Sequence, residues 1–344
     1  MKLLSLAFLL VCSICAGGCG FGGEDDTPDA ACGACDGLPW TGVSVLFMID
    51  DSGSMASKQR KLVISFSRFV EGMAAENETR RLSGEAPMNF RVAVVSTSIG
   101  LRYLDSSGNL IEQTTYSAAD LNECETSYVL TEGSPYPVGQ FLAAPGNATI
   151  LDSETLDHAI ILEQFRANAL LGVCGSGQEQ GLLAMRRALE ANPAFVQENS
   201  RLIVVFLSDE QDCSDPDRDL NLSLSADRCV EEALQPGGGL LGPVSAYADF
   251  LQGLTPRVTV ASIVSASGSI PTVTPGLCSD PACESACSSG SSPRSSPCWC
   301  GGMSAGSRYL DLVQAFGGSS FGVSICEPDF DLAMQRLATV ALGP

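Results

Sequence analysis

The fold of this chain is decided by residues 43 to 55, Val43-Ser-Val-Leu-Phe-Met-Ile-Asp-Asp-Ser-Gly-Ser-Met55. The first seven residues are apolar except for one serine, and most are bulky or β-branched, which is typical of a strand buried on both faces. The apolar run stops at Asp50 and gives way to oxygen-bearing side chains around a glycine. Open α/β sheets bind ligands at the carboxyl ends of their strands, so we expect these oxygens to line a site.

The polar residues after this strand have the spacing of a cation-binding loop. Asp50, Ser52 and Ser54 alternate, so a loop curling around one point can direct all three inward while Asp51 and Gly53 face away. Carboxylate and hydroxyl oxygens suit a hard divalent cation, Mg²⁺ or alternatively Ca²⁺ or Mn²⁺. Apolar residues at helical spacing predict a helix over 57–75, whose N-terminal dipole would favour an anionic ligand at the loop.

A second apolar run, typical of a core strand, is also followed directly by acidic and hydroxyl side chains. Residues 201–207 (RLIVVFL) are followed by Ser208-Asp209-Glu210-Gln211-Asp212. If the two strands are neighbours, Asp50 and Asp209 converge on one cation. We interpret Asp51, Glu210 and Asp212 as ordinary surface charges, with a second, Ca²⁺-like site as the alternative.

Strands and helices alternate along the rest of the chain. This pattern predicts a Rossmann-like, doubly wound α/β fold with a mostly parallel central sheet flanked by helices. Residues 100–145 are predicted to be loop-rich and hairpin-like. The other predicted strands are 90–98, 257–264 and 321–325, and the other predicted helices are 155–171, 180–191, 243–254, 306–316 and 328–342.

Residues 49–55 resemble the Asp-x-Ser-x-Ser loop of von Willebrand factor type A (vWA) domains, which opens their metal-ion-dependent adhesion site (MIDAS). The resemblance covers roughly residues 43–342 and implies that Asp50, Ser52, Ser54 and Asp209 bind the metal. It also implies a coordination position left free for a carboxylate of a partner protein. The family has a threonine in a glycine-rich turn before a helix. The matching turn here, residues 175–181, lacks it, and Ser176 or Gln178 is the stand-in.

The charge of the chain excludes one class of partner. Its 344 residues carry a formal net charge of −21 and 45% of them are hydrophobic, enough for a substantial core. A surface this acidic repels phosphate backbones, so we expect no nucleic-acid partner.

The amino-terminal residues indicate export. Lys2 precedes an apolar run that is too short to span a bilayer, which is typical of a secretory signal. Ala16-Gly-Gly-Cys19 resembles the bacterial lipobox, which implies a signal over 1–19, a lipidated Cys19 and, with Gly20 next, an outer-membrane lipoprotein facing the periplasm or the outside. Simple cleavage and free secretion is the alternative. Residues 20–39 are interpreted as a flexible tether, and 40–344 as the vWA-like domain.

The cysteines agree with an oxidising compartment. Cys12 and Cys15 leave with the signal and Cys19 carries lipid, so twelve of the 15 cysteines remain for disulfides. Cys213 with Cys229 and Cys124 with Cys174 are the suggested pairs. The segment 276–304 is predicted to be a disulfide-rich insertion; zinc is disfavoured because no histidine is near. The other candidate disulfide cysteines are Cys32, Cys35, Cys278, Cys283, Cys287, Cys298, Cys300 and Cys326.

Three functions compete. The first is an exported, lipid-anchored adhesion module that binds a protein ligand through a divalent cation. The second is a disulfide-rich scaffold whose metal loop is vestigial. The third is a Mg²⁺-dependent aspartyl phosphatase resembling the haloacid dehalogenases, but that family requires an aspartate where Ser52 stands and a late lysine, and none follows Lys61. We therefore expect a binding protein and not an enzyme.

Overall fold

The computed structural model describes residues 40, 42–104, 110–118, 121, 124, 128, 130–215, 229, 232–233, 235–255, 257–264 and 306–343. They belong to one compact unit, Trp40–Pro344. The predictions made for residues 1–39, namely the signal, the lipidated Cys19 and the tether, lie outside the described residues, as does the insertion at 276–304.

Eight strands and six α-helices are found within these residues. In chain order they are β1 (Gly42–Ile49), α1 (Ala56–Leu82), β2 (Asn89–Ser96), β3 (Leu101–Leu104), β4 (Leu110–Gln113), β5 (Leu151–Asp152), α2 (His158–Ala169), α3 (Gly181–Ala191), β6 (Ser200–Ser208), α4 (Ser245–Leu254), β7 (Val258–Val264), α5 (Ser307–Phe316), β8 (Phe321–Ser324) and α6 (Asp331–Leu342). Two 3₁₀ turns, Pro193–Phe195 and Pro236–Leu241, complete the path.

Six of the strands form the central sheet, in the order β5-β2-β1-β6-β7-β8. All neighbouring pairs are parallel except β2 and β5, which pair antiparallel at one edge. Numbered among themselves, these strands run 3-2-1-4-5-6, the order of a doubly wound sheet. The predicted mostly parallel sheet flanked by helices is confirmed, and the point where the strand order reverses lies between β1 and β6.

Strand β1 lies between two apolar layers. All of its residues are buried, as the continuous apolar run predicts. Val45, Phe47 and Ile49 pack in the layer that contains α1, α2 and α6, while Leu46 and Met48 pack in the layer that contains α3, α4 and α5. This double coverage holds the carboxyl end of β1 rigidly in the middle of the sheet.

Most helix and strand bounds agree with the predicted ones to within a few residues, and α1 differs most. It was predicted over 57–75 but continues to Leu82. Its apolar face ends at Met73, and most of the residues that follow are Ala, Glu and Arg, which are good helix formers and are not buried here. Within the described part of the chain, no helix is long and apolar enough to cross a membrane. The strands β3 and β4 form the hairpin expected in 100–145.

Candidate metal centre

The parallel register of β1 and β6 brings the two acidic strand ends side by side. Ile49 pairs with Leu207, and the backbone N–H of Asp50 donates to the carbonyl of Leu207 at 2.9 Å. Asp50 therefore lies next to Ser208, whose hydroxyl donates to Asp50 Oδ2 at 2.7 Å. Asp209 is one residue further along. Both aspartates are completely buried, at the position where the strand order reverses.

The loop after β1 turns its oxygens toward Asp209. The N–H of Ser52 donates to Asp50 Oδ1 at 2.8 Å, which curls the loop back on its first residue. The hydroxyl of Ser54 donates to Asp209 Oδ1 at 2.8 Å and lies 3.5 Å from the hydroxyl of Ser52. The structure thus brings Asp50, Ser52, Ser54 and Asp209 together, and contacts of these side chains run unbroken from one strand end to the other.

The charge balance of the pair is unfavourable. Burial, followed by the negative charge of Asp209, raises the pKa of Asp50 to about 7, although hydrogen bonds from Ser208 and Ser52 act in the opposite direction. Lys58, in the first turn of α1, forms an ion pair with one of the two, Asp209. Its Nζ lies 3.1 Å from Asp209 Oδ2 and donates to the carbonyl of Ser54 at 2.8 Å.

Asp51 faces away from this group, as predicted, but it is not a surface charge. It is 4% exposed, and its Oδ1 accepts hydrogen bonds from the hydroxyls of Ser96 and Ser98, both at 2.7 Å. Burial raises the pKa of Asp51 to about 6. A Cβ at Gly175 would collide with this carboxylate, so the glycine permits close approach. Asp51 therefore fastens the loop to the end of β2.

The glycine-rich turn 175–181 lies beside the loop. The N–H of Gly175 donates to the carbonyl of Asp51 at 2.7 Å. Ser176 is buried, and its hydroxyl is engaged within the turn, donating to the carbonyl of Gln178 at 3.2 Å and accepting from its N–H at 3.1 Å. Gln178 is also buried. The turn therefore lies directly against the loop that follows β1.

One residue near the site was missed by the sequence reasoning. Glu179 is completely buried, and its Oε2 accepts a hydrogen bond from the hydroxyl of Thr97, just past the end of β2. The available signal was the run Ser96-Thr97-Ser98, a third polar sequence directly after a core strand. Glu210, which the sequence predicted to be an ordinary surface charge, is instead half-buried; burial and the charges of Asp50 and Asp209 raise its pKa to about 9.

The interpretation of Asp212 as a surface charge is wrong. Asp212 is completely buried and pairs with Arg308 of α5, Oδ2 to Nε at 3.0 Å, and Arg308 is only 1% exposed. Its Oδ1 accepts from the N–H of Leu182 at 3.0 Å, while Ser214 accepts from Leu183 at 2.9 Å. The residue caps α3 from another part of the chain, which its position in an acidic run could not reveal.

Both suggested disulfides have cysteines at bonding distance. The Cα atoms are 5.2 Å apart in Cys124–Cys174 and 5.6 Å apart in Cys213–Cys229. The first joins residue 124 to the start of the glycine-rich turn, and the second lies directly after Asp212. Cys326 is also disulfide-bonded. Cys32, Cys35, Cys278, Cys283, Cys287, Cys298 and Cys300 lie outside the described residues.

The residues at the switch point fit a hard divalent cation. Their donors are carboxylate and hydroxyl oxygens, the ligands such ions prefer. The hydroxyl of Ser54 already contacts both the hydroxyl of Ser52 and a carboxylate oxygen of Asp209, and a cation would offset the repulsion between the buried aspartates. Among the described residues, no three His, Cys, Asp or Glu side chains form a metal-binding group; the predicted set instead combines two carboxylates with hydroxyls.

The fold and site define a class of protein: a doubly wound α/β domain with an acidic, hydroxyl-rich site at its topological switch point. No family model matches the chain, and no curated protein matches it. Among solved structures, the pilus adhesin RrgA from Streptococcus pneumoniae is similar over 58% of this chain, with 12% identity and a TM-score of 0.24. The match covers 24% of the adhesin, so the chain spans about a quarter of that protein's length.

Proposed function

We propose that this chain is an exported, lipid-anchored adhesion module that binds a protein ligand through a divalent cation. The cation is held by Asp50, Ser52, Ser54 and Asp209, with Ser176 or Gln178 as a further position, in the manner of the metal-ion-dependent adhesion site that the loop resembles. One observation carries the proposal: the two buried strand-end aspartates are linked through Ser52 and Ser54 at the switch point of the sheet. The bound cation would supply a Lewis-acidic contact for a carboxylate of the partner.

The chain's own residues suit this role. The Asp51 hydrogen bonds to Ser96 and Ser98 hold the loop in a fixed shape, so binding requires little reorganisation. Ser54 is partly exposed whereas Asp50 and Asp209 are buried. The exposed side of the site is therefore formed by a hydroxyl, and the buried charges lie beneath it.

Thermal unfolding of the purified domain tests the cation. A cation that binds only the native state raises stability by mass action, by about 2.7 kcal/mol at 100 times its dissociation constant. We expect Mg²⁺, Ca²⁺ or Mn²⁺ to raise the melting temperature of wild type over a chelator control, and Asp50→Ala to lose the rise. A wild-type protein that melts at one temperature under all these conditions would contradict the proposal.

The adhesive role is tested on the immobilised domain. A protein retained from the surrounding envelope proteins should elute with chelator, and it should not bind Asp50→Ala. Chemical amidation of the carboxylates of that retained protein should abolish its binding. Retention that persists in chelator, or after amidation, would exclude a cation-bridged contact.

The second candidate is the disulfide-rich scaffold with a vestigial metal loop, and one observation favours it. The ammonium of Lys58 already lies 3.1 Å from Asp209, so the chain supplies one cation of its own. If this ion pair alone neutralises the negative charge of the site, added cations will not change the melting temperature. The same unfolding series therefore separates the two candidates.

A further inference from the structure

A cleft with a volume of about 440 Å³ lies near the amino end of β2, away from the candidate metal centre. This volume falls in the usual range of small-molecule sites, roughly 300 to 1,000 Å³. Arg91, the third residue of β2, lines it. From there β2 continues over Val92–Ser96 to the polar loops of the metal centre, a distance of about 17 Å at about 3.3 Å per residue. The cleft is therefore a separate site.

The guanidinium of Arg91 is only partly engaged by the protein. Its Nε donates to Asp152 Oδ2 at 2.7 Å, and its Nη1 makes only a long contact, 3.4 Å, with the carbonyl of Ala194. The other oxygen of Asp152 accepts from the N–H of Glu154 at 2.9 Å, so the ion pair is held by one hydrogen bond and not by two parallel ones. Nη2 makes no hydrogen bond to the described residues. Because the side chain is 24% exposed, these terminal N–H groups can reach a ligand.

The walls of the cleft are fixed by the sheet. Asp152 stands opposite Arg91 in the antiparallel register of β2 and β5, so the backbone sets their separation. The 3₁₀ turn Pro193–Phe195 forms an apolar wall, and the hydroxyl of Ser44 in β1 fastens this turn by donating to the carbonyl of Phe195 at 2.7 Å. A ligand would therefore meet a preformed surface.

The charges around the cleft favour an anion with a single negative charge. A carboxylate matches the planar guanidinium with two parallel hydrogen bonds. Asp152 already lies beside the guanidinium, and the cleft is also lined by Ala191 and Asn192, where α3 ends. The carboxyl end of a helix carries partial negative charge. Both groups therefore disfavour an ion with two charges, such as a phosphate monoester.

We propose that this cleft binds a small monocarboxylic acid with an apolar body. The carboxylate accepts from the terminal N–H groups of Arg91, and the apolar body lies against Ile150, Pro193 and Phe195. Asp152 is a positioning residue that orients the guanidinium through Nε. The inference goes beyond the proposed adhesion and does not depend on cation binding.

Saturation-transfer NMR titration of the purified full chain tests the ligand class. Hydrocinnamate, a carboxylate with an aromatic body, should bind at least about tenfold more tightly than its neutral amide, because a charge-assisted hydrogen bond is lost in the amide. Acetate, which lacks the apolar body, and phenyl phosphate, which carries more charge, should bind more weakly than hydrocinnamate. An amide or a phenylpropylamine that binds as tightly as the acid would overturn the proposal, as would a chain that binds no hydrocinnamate.

Two variants of the ion pair should change the binding of hydrocinnamate in opposite directions. Arg91→Gln should weaken it by about tenfold or more. Asp152→Asn keeps an oxygen for Arg91 Nε but removes the neighbouring negative charge, so it should bind the acid more tightly than wild type. Both variants break the same ion pair, and a purely structural role would shift both in one direction; that result would overturn the role of Arg91. Arg166→Gln, exposed on α2 against the other face of the sheet, is the matched control and should bind as wild type does.

The same titration in chelator and with Asp50→Ala locates the site. Hydrocinnamate should bind equally well under both conditions, because the cleft lies about 17 Å from the metal centre. Binding that disappears in chelator or in Asp50→Ala would place the carboxylate on the cation and overturn the cleft as its site. A failure of cation binding would leave this result unchanged, so the two proposals fail separately.

Discussion

At the scale of single residues, the site depends on how its negative charges are balanced. Asp50 and Asp209 are buried next to each other, and Lys58 forms an ion pair with Asp209. Burial of like charges is costly unless a counter-charge lies close. At the proposed cation site, the ammonium of Lys58 and a divalent cation would therefore compete for the same carboxylate of Asp209.

Replacing Lys58 with methionine tests whether its ammonium both stabilises Asp209 and competes with a divalent cation. Without the ammonium, Asp209 loses its ion-pair partner, and the chelated protein should lose about 1–3 kcal/mol of stability. Divalent cations should then bind more tightly, because a competing charge is gone, and the rise in melting temperature on adding Ca²⁺ should exceed that of wild type. Lys61→Met, one turn further along α1, is the matched control and should respond as wild type. If Ca²⁺ raised the melting temperature of Lys58→Met only as much as that of wild type, the lysine would not compete with the ion.

The raised pKa of Asp50 predicts the pH dependence of the metal-free protein. Its value is about 7 in the native state against an ordinary 3.8, so the native state holds its proton more tightly than the unfolded chain. Stability then falls as pH rises from about 4 to 7, by up to about 1.4 kcal/mol per pH unit for each such proton. In chelator, the melting temperature should therefore be lower at pH 8 than at pH 5.5.

Two comparisons check which group causes stability to fall as pH rises. Asp50→Asn should reduce this slope but not abolish it, because the pKa values of Asp51 and Glu210 are raised as well. Asp249→Asn, exposed on α4, should keep the full slope. Saturating Ca²⁺ should reduce the slope in wild type, because the cation binds the ionised form. A chelated protein that becomes more stable between pH 5.5 and 8 would contradict the description of Asp50 as a poorly compensated charge.

At the scale of secondary-structure elements, the start of α3 is held from a distance. Its own N-cap residue, Gln180, makes no side-chain cap hydrogen bond. The first N–H groups instead donate to Asp212 and Ser214, which follow β6. Arg308 of α5 completes the arrangement by donating to Asp212 and to the carbonyl of Ser214 at 2.8 Å. The loop that carries Asp209 is thereby tied to two helices.

Asp212→Ala should therefore be severely destabilising. It removes a cap of α3 and leaves the guanidinium of Arg308 buried without its carboxylate, a loss of about 3–5 kcal/mol. Chemical denaturation measures this change. Glu78→Ala, which breaks the exposed pair with Arg81 on α1, is the control and should leave the midpoint unchanged. A loss for Asp212→Ala no larger than that of the control would contradict the buried ion pair as a support of the loop.

At the scale of the whole molecule, the proposed function requires the domain to be attached to a membrane. The proposal assigns this attachment to a lipid on Cys19. We expect the full-length chain, expressed in a bacterium that processes lipoproteins, to partition into detergent and to incorporate labelled fatty acid. Cys19→Ala should lose both properties. Partition of Cys19→Ala into detergent at the wild-type level would contradict lipid anchoring.

The sequence by itself determined the alternation of strands and helices, because periodicity and apolar runs reflect which faces must be buried. It also predicted that Asp50 and Asp209 each follow a core strand, since strand ends are local features. It could not distinguish Asp51, Asp212 and Glu179 from surface carboxylates. Their burial depends on Ser96, Arg308 and Thr97, which lie far away in the chain.

Only the tertiary structure decided which carboxylates share the switch point. The order β2-β1-β6 places the ends of three strands side by side, and the turn 175–181 closes over them. Charge repulsion and desolvation act through space and not along the chain. The chemistry of this site therefore follows from strand order, which a single sequence does not contain in any local pattern.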